Sequence, residues 1–76
     1  MTTIEDVRQL EAELERKRKT IAADIAAERK KRSLSLRHVA QRVRLTASSL
    51  LEIERGDSWR TDTVARVVKF YEREAV

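Results

Sequence analysis

Leu34-Ser35-Leu36-Arg37-His38-Val39-Ala40-Gln41-Arg42-Val43-Arg44-Leu45-Thr46-Ala47-Ser48-Ser49-Leu50-Leu51-Glu52-Ile53-Glu54-Arg55-Gly56 is the stretch on which the fold turns. It holds two hydroxyl residues placed to cap helices, Ser35 and Thr46, and it closes on the only glycine of the 76-residue chain. A capping Ser or Thr oxygen accepts from an otherwise unpaired N–H in the first helical turn. Ser35 therefore predicts a helix over Leu36–Val43, with Leu36, Val39, Ala40 and Val43 on its buried face. Thr46 predicts a second over Ala47–Arg55, burying Leu50 and Ile53, which Gly56 ends as a left-handed cap. Arg44-Leu45 is the tight connection between them.

Upstream, Ile21–Arg32 places Ile21 and Ile25 on one face, and its last turn carries Arg29 to Arg32, which suit the negative end of a helix dipole. Ser33-Leu34-Ser35 is a short break. Earlier still, Thr2 or Thr3 can cap a helix, Asp6 completing a weak capping box with Thr3. Ile4, Val7, Leu10 and Leu14 then recur at three- and four-residue steps, an apolar stripe. Arg16 to Lys19 interrupts it; the helix either continues there or breaks near Thr20, which could itself cap. Downstream, Asp57–Arg60 is a loop. Thr61 or Asp62 starts a last helix with Val64, Val67, Val68 and Tyr71 on one side. These readings make the chain all-α, with residues 1–19 as an amphipathic helix and 20–76 as the main domain.

With no cysteine and no proline, the chain has no disulfide or thiolate metal site and little to break a helix. No apolar run approaches the roughly 20 residues that span a bilayer, and the charged start, with Glu5, Asp6 and Arg8, does not resemble a signal peptide. A soluble, cytoplasmic protein is expected. With no cysteine, a single histidine (His38) and no glycine-rich phosphate loop, neither an enzyme nor a cofactor or metal site is expected. The net charge of +4 is uneven: residues 20–60 hold nine basic against five acidic groups, while both flanks balance. A basic centre between neutral flanks points to a polyanion such as nucleic acid.

Two short helices joined by about three residues within a basic segment are the helix-turn-helix pattern. The residues resemble the lambda-repressor-like (Cro and xenobiotic-response-element) helix-turn-helix family at Leu34-Ser35, Val39-Ala40, Val43, Leu45-Thr46 and Ile53-Glu54-Arg55-Gly56. The resemblance extends from Ile21 to Tyr71 and implies a four-helix domain, to which residues 1–19 add an extra N-terminal helix. It also implies an ion pair between Arg29 and Glu54. It departs at two places. Arg44 stands where the family usually has glycine, which at positive φ would cost roughly 1 kcal/mol, and Leu36 stands where a phosphate-binding glutamine is frequent.

By the same resemblance the second of the quoted helices reads bases through Thr46, Ala47, Ser48, Leu51 and Glu52. Serine specifies weakly, Ala47 and Leu51 suit thymine methyls, and Glu52 can accept from a cytosine amino group. No Arg, Asn or Gln stands there for a bidentate base contact, so phosphates and DNA shape should carry much of the recognition. Arg37, Arg42, Arg44, Arg55 and Arg60 are the expected phosphate contacts, arginine's planar fork matching phosphate. Trp59 is read as an anchor for its loop, with DNA sugar and phosphate as the alternative.

The resemblance implies two-fold dimers, the usual state of specific members, in which a fifth helix after the fourth often mediates pairing; no such helix is expected within residues 1–76. The stripe Ile4, Val7, Leu10 and Leu14 is thus the expected homodimer contact, unless it folds back on its own domain. The expected function is a double-stranded DNA-binding transcriptional regulator, a small repressor or autoregulator. The alternative is a helical adaptor or antitoxin-type subunit acting through a protein partner.

Overall fold

The computed structural model describes residues 3–74 and contains four helices, α1 (Ile4–Lys31), α2 (Leu36–Arg42), α3 (Ala47–Arg55) and α4 (Thr61–Glu74). Thr3 starts α1 with a closed capping box: its Oγ1 accepts from the Asp6 N–H at 3.1 Å, and its own N–H donates to Asp6 Oδ2 at 3.2 Å. Thr2, the other candidate cap, lies outside the described residues. Of the two readings left open at Thr20, the helix continues: α1 runs unbroken through residue 20, so residues 1–19 contribute no separate fifth helix among the described residues. The reason is local. No glycine or proline interrupts residues 4–31, and the Thr20 hydroxyl donates to the Arg16 carbonyl at 3.0 Å within the helix instead of capping a new one. At 28 residues, α1 is about 42 Å long and accounts for the 46 Å long axis of the molecule.

The next three connections repeat one device. At each helix end a residue in the left-handed region lets two N–H groups fold back onto the last turn. Ser33 (φ +57°) donates to Lys30 O and Leu34 to Arg29 O, at 3.0 and 3.1 Å. Arg44 (φ +61°) donates to Gln41 O and Leu45 to Ala40 O, at 3.3 and 2.8 Å. Gly56 (φ +77°) donates to Ile53 O and Asp57 to Glu52 O, at 3.1 and 2.9 Å. After the first two, Leu34 and Leu45 tuck against the core and seal the turn. Ser35 and Thr46 then restart the chain as helix, accepting from the His38 and Ser49 N–H groups, each at 3.0 Å.

Only Gly56 adopts its conformation without side-chain strain, and it is also short of room: a Cβ there would lie 3.3 Å from Lys19 Cγ. Ser33 is exposed and carries the strain without such crowding. Ser33→Gly should therefore stabilise the protein by about 0.5–1 kcal/mol, the left-handed penalty partly offset by the greater freedom of glycine in the unfolded chain. Thermal melts followed by circular dichroism check this, and a lower melting temperature would refute it.

The core gathers Ile25, Val39, Ala40, Val43, Leu50, Ile53, Val64, Val67 and Tyr71, with Leu50, Val39 and Val67 fully enclosed. From α1 it takes little more than Ile25 and Ala22; Ile21, expected beside Ile25, stays exposed. Leu36 and Val68 are half-buried at its edge. Arg32 closes the α1–α4 side: it bonds Glu28 Oε1 at 2.8 Å and the Tyr71 carbonyl at 3.0 Å, with its guanidinium 5.1 Å from the Tyr71 ring centre. The Tyr71 hydroxyl is buried with no hydrogen-bond partner among the described residues. Burial, reinforced by the negative charge of Glu54, raises its pKa above the ordinary tyrosine value.

Candidate nucleic-acid interface

The helical period sorts α3 into two edges. Leu50 and Ile53 point into the core, and Glu54 joins them as an ion-pair partner. Ala47, Ser48, Glu52 and Arg55 are exposed on the opposite edge, with Thr46 at its start, while Leu51 is half-buried. Of the five residues expected to read bases, Ala47, Ser48 and Glu52 are thus the ones offered outward without other duties. Thr46 is exposed, but its hydroxyl both caps α3 and donates to Ser49 Oγ at 2.9 Å. That engagement leaves it little capacity for a base.

The structure brings Arg29 and Glu54 together as a two-pronged pair. Nε and Nη2 of Arg29 donate to the two Glu54 oxygens at 2.8 and 3.0 Å, and Nη1 donates to the Leu34 carbonyl at 3.1 Å. The Glu54 side chain is 4 % exposed. Its carboxylate raises the Arg29 pKa above the usual arginine value, outweighing the opposing effect of burial. One guanidinium therefore ties the end of α1 to the far end of α3 and to the residue just ahead of the α2 cap. These bonds fix the angle at which the exposed edge of α3 is presented.

Arg37, Arg42, Arg44, Arg55 and Arg60 are all exposed around α2 and α3. Among the described residues, Arg37, Arg44, Arg55 and Arg60 enter no ion pair, so their guanidinium groups are available to an anion. Trp59 is half-buried against the core, and the Arg18 guanidinium lies 5.8 Å from its ring centre. This packing ties the Asp57–Arg60 stretch to the core, with α1 alongside through Arg18.

Two features were not read from the sequence. Arg66, Lys69 and Arg73 of α4 face a cleft of about 480 Å³ shared with Arg42, Val43, Arg44 and Phe70. Their three- and four-residue spacing, opposite Val64, Val67 and Tyr71, marks one cationic helix face and could have flagged them. The second feature is an apolar groove of about 350 Å³ where α1 meets α4, lined by Ile21, Ile25, Val68 and Tyr71, with Asp24 and Glu28 at its rim.

The N-terminal stripe does not fold back. Ile4 is 76 % exposed and Leu10 56 %, with Val7 and Leu14 also open to solvent. Val7, Leu14, Ile21 and Glu28 are spaced by sevens on one helix face, so the stripe leads directly into the groove. No helix among the described residues is long and apolar enough to cross a membrane. Compared with known protein families, curated proteins and solved structures, the chain matches none.

Proposed function

We propose that this protein is a double-stranded DNA-binding transcriptional regulator of the lambda-repressor-like helix-turn-helix type, a small repressor or autoregulator. It docks α3 in the major groove. The observation that carries this reading is the exposed polar edge of α3, held at a set angle by the Arg29–Glu54 pair and ringed by arginines open to solvent. Ser48 and Glu52 address base edges, Ala47 and the exposed part of Leu51 address thymine methyls, and the arginines hold the strands. Because no long donor fork stands on that edge, DNA shape contributes much of the discrimination.

A second copy completes the reading. A monomeric module covers little DNA, and two-fold binding needs recognition helices about 34 Å apart. The exposed stripe of α1 and the groove it leads into, shared by α1 and α4, form one apolar surface. Antiparallel pairing of two α1 helices would lay the amino-terminal end of each stripe over the groove of the other and remove both from water. The same stripe also favours the other reading, an adaptor or antitoxin-type subunit whose main partner is a protein.

Binding to generic duplex DNA across a salt series separates the two. A dimer neutralising roughly six to ten phosphates should lose about 10³-fold or more in affinity between 50 and 200 mM salt. Weak binding that is flat in salt would select the adaptor. Sequencing DNA selected by the protein from a random pool then gives the half-site and its spacing.

A further inference from the structure

We propose that the cleft between the α2–α3 turn and α4 is a site for a chain of phosphates, held by Arg44, Arg66, Lys69 and Arg73. The site is separate from the edge of α3 and does not depend on its docking in a groove.

The first argument is electrostatic. Five cationic residues, Arg42 among them, line one cleft, and among its described lining residues there is no acidic side chain. Like charges gathered this way repel one another in the empty protein, and an anion that bridges them removes the repulsion. The second argument is conformational. Arg44 sits at φ +61°, where glycine would be unstrained, yet this position carries the longest cationic side chain. Arg44 lines the cleft together with the cations of α4. The third argument concerns the kind of anion. Arginine forks match phosphate oxygens in pairs, and successive phosphates supply one negative charge each within a short reach. Phe70, half-buried in the lining, offers an apolar surface beside the cations that a sugar or base can cover. The phosphate chain is either a nucleic-acid backbone or a free polyphosphate such as a nucleotide tail.

Amide NMR spectra of the full chain, titrated with sodium tripolyphosphate, test the site directly. The expected shifts fall on residues 43–45 and 66–73, leave 47–52 in place, and disappear in an Arg66→Gln, Lys69→Gln, Arg73→Gln variant. Arg44→Gly is the second variant, needed if the triple one unfolds: it should raise the melting temperature while weakening tripolyphosphate binding. That opposite pair of signs is not expected of a purely structural residue. Duplex DNA distinguishes the sources. If the backbone occupies the cleft, the triple variant should lower the salt slope by about 2–3, near 0.9 per lost phosphate. An unchanged slope in the triple variant, when tripolyphosphate shifts the wild type and not the variant, assigns the site to a free polyphosphate. A wild-type protein that binds no duplex but shows the shifts keeps this site and removes the major-groove reading instead. Absence of shifts in the wild type overturns the proposal. So does a polyglutamate peptide that produces them at lower concentration than tripolyphosphate, which would make the partner an acidic protein.

Discussion

Arg29→Ala should destabilise the protein by about 3–5 kcal/mol, the range for breaking a buried pair by removing one partner. The physical cause is the carboxylate left behind. Glu54 is 4 % exposed and would lose both of its short bonds to the guanidinium, so its charge would stay buried without a counter-ion. The Leu34 carbonyl loses its partner as well. A domain has a total stability of only about 5–15 kcal/mol, so urea denaturation should show the midpoint moved to markedly lower urea. Arg29→Lys should recover only part of the loss, because an ammonium cannot donate along two parallel lines. Replacing both partners with apolar residues, Arg29→Met with Glu54→Leu, should recover more, since no charge is then left buried. A loss below about 1 kcal/mol for Arg29→Ala would mean that the pair behaves as a solvated surface contact. The link to function is orientation: the double apolar variant would be folded, yet without the fork the angle of α3 is less firmly held. Its DNA affinity relative to its stability therefore tests whether the pair aims the recognition edge.

The second large effect is expected from Leu10→Glu combined with Leu14→Glu. Both residues are exposed, so the monomer should keep its fold, with a stability change within about 0.5 kcal/mol. Sedimentation velocity should show the proposed dimer replaced by monomer, because the new carboxylates would be laid against the apolar groove of the other copy, which Asp24 and Glu28 also line. Affinity for DNA with two correctly spaced half-sites should fall by about 10²–10⁴-fold, the contribution of linking two binding events. Affinity for a single half-site should hardly change. A folded variant that remains dimeric would take the stripe out of the interface. A loss equal on one and two half-sites would place the stripe in some other role.

The helix boundaries near the centre of the chain were legible because they are made by local chemistry. Ser35 and Thr46 accept from N–H groups three residues on, and Gly56 takes a conformation that favours glycine. Those bonds join residues a few positions apart, so reading the chain in order finds them. The region around Thr20 was not legible, for a related reason. A threonine can cap a helix or bond back to the preceding turn within one, and the two states differ by little. Its hydroxyl reaches the Arg16 carbonyl, and α1 passes through. Arg44 lay between: its departure from glycine was visible at once, whereas its positive φ required the backbone.

What stands alone in the amino-acid order, then, is the succession of capped helices, the apolar faces within each, and the cationic surplus at the centre. The caps and the apolar faces depend on residues within about two helical turns of one another, and the cationic surplus is a count that needs no contacts at all. Which faces are covered was settled by packing. The stripe from Ile4 to Leu14 looks as buriable as the face of α4, yet it stays in water because α1 extends past the core that α2, α3 and α4 close around Ile25. The cleft that sets Arg66, Lys69 and Arg73 against Arg44 likewise exists only because α4 returns beside a turn more than twenty residues earlier. Contacts of that reach are set by the shapes of whole helices meeting in space, which no local pattern of residues encodes.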